Sequence, residues 1–307
     1  MLVEDYLIPS WYKPGSSVLS IRIKTHSADY KNPIILTHGR SLPYELNWDF
    51  ASDDLSFADV LANKGCTVIM LNATGFGQST KFDEMFLPAV KGNYINTFEH
   101  YYNDLSDLIL WLSRTKSINK PHLVGWSSSS VPCLMFAEQN SELVSSVVSY
   151  GTTKLKKYVE NWVPDEDLDN YEILTPNILS DRRHRFIKSE LKETLFPTKW
   201  EEKWRNLIVE MDPVTLTGSV VQAARIYNKT DNLEKYMRWE NILCPVLFLL
   251  GELDRGPQQN YSDFINKLAS TYKEVKYIPN GTHFSCLETT RDALADVLKQ
   301  HIEITTH

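Results

Sequence analysis

Pro121-His-Leu-Val-Gly-Trp-Ser-Ser-Ser-Ser130 decides how this chain is read. An apolar strand signal runs into Gly125, Trp126, Ser127, Ser128 and Ser129, and a helical pattern follows. Such a strand-to-helix turn holds a serine hydroxyl at a strained tip and demands small residues two before and two after it. Gly125 and Ser129 meet that demand around Ser127, with Ser129 standing where glycine is usual. Moving the frame by one would make Ser128 the nucleophile and put Trp126 at a position that must be small. Ser127 is therefore the candidate nucleophile. Pro132 agrees, because it falls in the first turn of the following helix, where backbone N–H groups have no intrahelical partner. The positive end of that helix is then aimed at the site of reaction.

A single turn of this kind arises by chance, so the chain must supply partners. Pro245-Val-Leu-Phe-Leu-Leu-Gly251 reads as a strand and leads to Glu252, Leu253 and Asp254; Val275-Lys-Tyr-Ile-Pro279 leads to Gly281, Thr282 and His283. Serine, acid and histidine thus occur in that order, each just past a predicted strand. In an open parallel sheet the strand carboxyl ends share one edge, and ligands bind in the crevice outside it. Ser127 is read as nucleophile, His283 as the base that later acts as acid, and Asp254 as the group that holds the imidazole tautomer. Glu252, two residues earlier, is the alternative acid. A histidine base must be neutral to accept the serine proton, so kcat/KM should rise with pH.

With these residues the chain resembles the α/β-hydrolase superfamily over nearly its whole length. His38-Gly39 follows Ile34-Ile-Leu-Thr37, where that family carries its oxyanion loop, and Thr67-Val-Ile-Met-Leu-Asn72 leads into Gly75-Phe-Gly-Gln-Ser79 as its next strand and turn. Asn72 and Thr74 depart from the aspartate and arginine common there. The resemblance implies a mostly parallel, doubly wound α/β sheet with a helical cap inserted before the seventh core strand. Residues 1–153 and 243–307 would form the core and 154–242 the cap. It also implies oxyanion donors at the backbone N–H of Ser128 and in the loop after His38-Gly39, where Arg40 is the candidate and Ser41 the alternative. Gly39, Ser41 and Trp126 are assigned to the substrate pocket, and His38 to ordering its loop. A guanidinium at Arg40 would suit a substrate carboxylate; an Arg40 turned toward a cap carboxylate is the competing reading.

The remaining pattern fits. Val18-Leu-Ser-Ile-Arg-Ile-Lys24 alternates like an edge strand. Tyr101, Leu105, Leu108 and Leu112 share one face of a helix predicted over 97–114, and Leu294, Val297, Leu298 and Ile302 do so near the end, with Thr289 and Asp292 as a capping pair. Another helix is expected over 259–273. Residues 154–242 show little strand signal, many charges of both signs, and the aromatics Trp162, Tyr171, Phe186, Phe196, Trp200, Trp204, Tyr227, Tyr236 and Trp239. Most of these are expected to build the cap's own small core.

A length of 307 residues allows a sizeable core. No apolar run approaches the ~20 residues of a spanning helix, and a net charge of −7 gives no reason to seek a phosphate backbone. The four cysteines, Cys66, Cys133, Cys244 and Cys286, show no metal or redox spacing, which fits a cytoplasmic chain with reduced thiols. No cofactor or metal signature appears, and Gly75-Phe-Gly77 reads as a loop turn rather than a dinucleotide site. Serine at the elbow disfavours the dehalogenase and epoxide-hydrolase branches. Thr37-His-Gly-Arg-Ser-Leu-Pro43 lacks the His-Gly-Gly-Gly of many lipases and the His-Gly-Gly-Pro of proline iminopeptidases. The expectation is a serine hydrolase of a small carboxylic ester or lactone. Alternatives are cleavage of a carbon–carbon bond, acyl transfer, or a non-catalytic binding protein of the same fold, which would show a broken triad. The partner is a small-molecule substrate, with neither nucleic acid nor membrane, and a homo-oligomer is compatible with the sequence.

Overall fold

The computed structural model describes residues 1–91, 95–152, 169–185, 187–211, 220–223, 237–254 and 261–306. Its main sheet uses β1 (Leu2–Pro9), β2 (Val18–Thr25), β3 (Pro33–Thr37), β4 (Thr67–Asn72), β5 (His122–Trp126), β6 (Ser146–Tyr150), β9 (Val246–Gly251) and β10 (Lys273–Ile278). Their spatial order is β1-β2-β4-β3-β5-β6-β9-β10. From β4 through β10 every neighbouring pair is parallel, whereas β1 and β2 run antiparallel at one end. Strands β4, β5 and β6 are buried along their whole length, as expected of strands covered on both faces. The chain runs from β3 to β4 on one side and returns to β5 on the other. That reversal places the ends of β3 and β5 at a topological switch point, where open sheets of this type bind ligands.

Two helical layers cover the sheet. α2 (Phe98–Trp111) and α3 (Ser130–Asn140) share an apolar cluster with Leu105, Leu108, Leu123 and Val131; α1 (Phe57–Asn63) and α8 (Arg291–Thr305) lie in a second cluster with Leu61, Val68 and Leu298. α2 starts where a side chain can satisfy its first orphan donors, since Thr97 Oγ1 accepts the His100 N–H. All four cysteines are free and buried.

Several elements differ from the sequence expectation. β2 is an interior strand, because β1 pairs along its outer side over eight residues. α8 begins with Thr290 at its N-cap and no side-chain capping bond, so the Thr289/Asp292 pair does not cap it. Of the helix expected over 259–273, the described residues are helical only in α7 (Tyr261–Ile265); 266–272 are turn and irregular chain, and β10 starts already at Lys273.

Between β6 and β9 lie α4 (Pro176–His184), α5 (Lys192–Leu195) and α6 (Thr198–Glu210), together with a two-stranded antiparallel sheet of β7 (Tyr171–Leu174) and β8 (Val220–Ala223) that periodicity did not signal. Trp162, Phe186, Tyr227 and Tyr236 lie outside the described residues. The described aromatics pack outward from the insertion onto the sheet domain rather than on one another alone. Trp204 donates its indole N–H to the Leu46 carbonyl (2.8 Å) and Trp200 to Asp53 (3.0 Å), while Trp239 joins the opposite cluster. No helix among the described residues is long and apolar enough to cross a membrane.

Candidate active site

Ser127 sits at the end of β5 with φ +57°, in the left-handed region that a non-glycine residue adopts only under constraint. The constraint comes from its neighbours. A Cβ on Gly125 would meet Ser130 Cα at 2.5 Å, so only glycine lets α3 start this close to the strand. Ser129, unusual at its position, adds a bond that glycine would lack. Its hydroxyl receives the Trp126 N–H (2.9 Å) and the Thr37 hydroxyl (2.8 Å), joining the turn to β3.

The candidate acid and base come from the loops after β9 and β10. His283 Nδ1 lies 2.9 Å from Asp254 Oδ2, and both side chains are at least 95 % buried. A proton shared along that bond keeps Nδ1 protonated and leaves Nε2 as the accepting nitrogen. Glu252 is turned elsewhere: it is exposed and accepts the Asn280 N–H (3.0 Å). The histidine loop is fastened to the elbow, since the His283 carbonyl accepts the Trp126 indole N–H (2.8 Å) and the Tyr150 hydroxyl (3.2 Å). The rings of Trp126 and His283 lie 5.7 Å apart. The residue before Ser127 thus touches the histidine loop, and among the described residues no hydrogen bond joins the Ser127 and His283 side chains. Such bonds are often long before substrate binds.

The loop after β3 closes the other side. A Cβ on Gly39 would lie 3.3 Å from Ser127 Cβ, so this backbone rests directly on the elbow. His38 orders the loop: its Nε2 accepts the Ala73 N–H (3.1 Å), which leaves Nδ1–H to donate to the Gly39 carbonyl (2.8 Å). Burial pushes the imidazole down to about 4, so it stays neutral in this role. A planar trans peptide sets its C=O and N–H on opposite edges. Holding the Gly39 carbonyl toward His38 therefore turns the Arg40 N–H away from it.

Two sequence assignments change character. Trp126 is 3 % exposed with its N–H committed to the histidine loop, so it is a wedge under the site rather than an open pocket wall. Arg40 pairs with Glu172 of the inserted segment (3.3 Å), which also binds Arg182 (3.0 Å), and Arg182 reaches Ser41 (3.3 Å). The Arg40 turned to a cap carboxylate is the reading that the geometry bears. At the positions that depart from the family pattern, new partners appear. Asn72 accepts the Tyr44 N–H and donates to Glu45, while Thr74 donates to Asp104 through both its N–H and its hydroxyl. Gly151, which sequence reading passed over, lies against the acid–base pair; its only signal was its place directly after a strand.

Among the described residues no group of three or more His, Cys, Asp or Glu is placed to hold a metal ion.

Comparison with known proteins identifies the fold. Residues 32–290 match the model of the alpha/beta hydrolase fold family, to which the chain belongs. No curated protein matches the sequence. Among solved structures the chain resembles a serine hydrolase from the hydrocarbon-degrading bacterium Cycloclasticus zankles (16% identity, TM-score 0.64, 98% of each chain covered). It also resembles a thermophilic esterase from Thermogutta terrifontis (19% identity, TM-score 0.61, covering 99% of this chain and 100% of that one). A third is an esterase from Exiguobacterium antarcticum (12% identity, TM-score 0.63, covering 98% and 100%). At these identities the likeness is one of fold.

Proposed function

We propose that this hydrolase-fold chain cleaves a small carboxylic ester or lactone through an acyl-enzyme on Ser127. The observation that carries the reading is the buried His283–Asp254 bond of 2.9 Å, in a loop that the Trp126 indole bonds, together with the neighbouring Ser127 held at φ +57°. In this mechanism His283 Nε2 takes the proton of Ser127 as its oxygen attacks the carbonyl, and Asp254 stabilises the imidazolium that results. The backbone N–H groups of Ser128 and Arg40 receive the oxyanion. The imidazolium then protonates the leaving alcohol, and water repeats the sequence to release the acid. Residues 154–242 serve as the cap over the acyl pocket.

A fluorophosphonate probe tests the reading directly. Labelling of the folded protein that disappears in Ser127→Ala is expected; no labelling of folded wild type would make it a binding protein instead. A chain-length series of p-nitrophenyl esters beside a lactone panel then identifies the acyl preference. Product analysis with added alcohol separates hydrolysis from acyl transfer.

A further inference from the structure

Glu288 lies five residues beyond His283 and is fully buried. Its Oε1 accepts the Thr282 hydroxyl proton at 2.6 Å, and the Thr282 oxygen in turn accepts the Phe284 N–H at 3.1 Å. The two residues that flank the base are therefore pinned through one hydroxyl to one carboxyl group. The other oxygen, Oε2, has no hydrogen-bond partner among the described residues. A buried carboxyl in that state is costly, and a protein of this kind tolerates it where it serves a purpose.

Its counter-charge comes from the inserted segment. Arg183, at the end of α4, is 1 % exposed and stacks over the Phe196 ring at 3.9 Å. Its Nη2 binds Glu201 (2.9 Å), while Nε and Nη1 have no partner among the described residues. Arg183 and Glu288 act on each other electrostatically without touching, and His283 acts on Glu288 in the same sense. The Glu288 loop is also tied to α5 of the inserted segment, where Thr289 donates its N–H to the Leu195 carbonyl (2.9 Å) and its hydroxyl to the Thr194 carbonyl (3.1 Å). Burial pushes the Glu288 carboxyl up to about 7 against the pull of Thr282, Arg183 and His283. Tyr150 of β6 and Cys286 of its own loop also act with it, both neutral at physiological pH.

We propose that Glu288 is a positioning residue for the base, setting the turn of His283 through Thr282 with Arg183 of the inserted segment as its counter-charge, so that seating of the cap and alignment of the base are one mechanical unit. The inference rests on the reading of His283 as the base.

Its test measures kcat, KM and the pH profile on p-nitrophenyl acetate, with sites counted by fluorophosphonate titration. Glu288→Ala and Thr282→Val are each expected to lower kcat per labelled site by on the order of 10²-fold with KM nearly unchanged, as misplacement of a catalytic group does. Glu288→Gln keeps an acceptor for Thr282 and should recover most of that rate. It also removes a titrating carboxyl beside the base, so the step that group contributes to the pH profile near 7 disappears. Arg183→Met should lower kcat in the wild-type background and add nothing in Glu288→Gln. A merely structural role would reduce the thermal midpoint and the labelled fraction and leave kcat per labelled site unchanged. That result, or variants within about two-fold of wild type in kcat and pH profile, overturns the inference while the serine-hydrolase reading stands. Folded wild type that neither labels nor hydrolyses overturns both.

Discussion

At Gly151, φ is +58° and a Cβ would lie 3.0 Å from His283 Nδ1 and 3.5 Å from Asp254 Oδ2. Alanine there meets both backbone strain and the acid–base pair, neither of which can yield without loosening the other. Gly151→Ala is expected to lower kcat by on the order of 10²-fold, with the loss seen in steady-state kinetics and not in ligand-free circular dichroism. Arg40 gives the opposite outcome. Because Glu172 engages its guanidinium, Arg40→Ala should leave the ratio of rates on acidic and neutral p-nitrophenyl esters unchanged within about two-fold, and a fall specific to acidic esters would show that it binds substrate. What sequence revealed at this scale was whatever sterics dictate locally. Gly125 was legible because a turn this tight admits nothing larger, and Asp254 because it lies just past a strand. Glu288 and Arg183 were not, since their significance is burial, and no local pattern distinguishes a buried charge from a solvated one.

Elements were legible where their environment is uniform or strictly periodic. The fully buried β4 and β5 and the one-sided α2 announce themselves, whereas β1 has most residues exposed at the sheet edge and carries no clean alternation. β7 and β8 are four residues each and pair only with one another, too short for a period to emerge. The inserted helices are held to the sheet domain by specific bonds, of which the buried Trp204 indole N–H to the Leu46 carbonyl is one. Trp204→Phe keeps much of the packing and leaves that carbonyl unpaired, so it should cost about 1–3 kcal/mol, read as a lower urea midpoint. Faster limited proteolysis within residues 169–211 should accompany it.

For the whole molecule, opposed groups set the response to acid. Burial holds His38 and His122 down to about 4 and His301 to about 3. Each of these folded values lies below the unfolded one, so the stability they give is complete above the unfolded range near ~6.5. It is lost as pH falls. Burial also pushes Asp104 and Glu288 up to about 7 and raises Glu45; their stabilising share is complete below the unfolded carboxyl range and is lost as pH rises toward 7. Each group contributes a slope of about 1.4 kcal/mol per pH unit. The two sets therefore offset one another between roughly pH 5 and 7. Below about 4.5 the carboxyls are protonated in both states while the histidines still resist. Urea midpoints should be nearly flat from pH 7 to 5 and fall steeply by pH 4. His301 has neither ring nitrogen bonded among the described residues, so His301→Phe should flatten that acid slope, and an unchanged slope would remove His301 from this explanation.

The strand order β5-β6-β9-β10 carries one more consequence. A ribosome delivers position 127 before position 283 by roughly 150 residues, or about 8 to 30 s at ordinary elongation rates. During that interval the nascent polypeptide has an elbow and no imidazole to switch it on. On the proposed mechanism the hydroxyl at 127 therefore stays unactivated until β10 docks on β9 and carries the loop with the candidate base to the sheet edge.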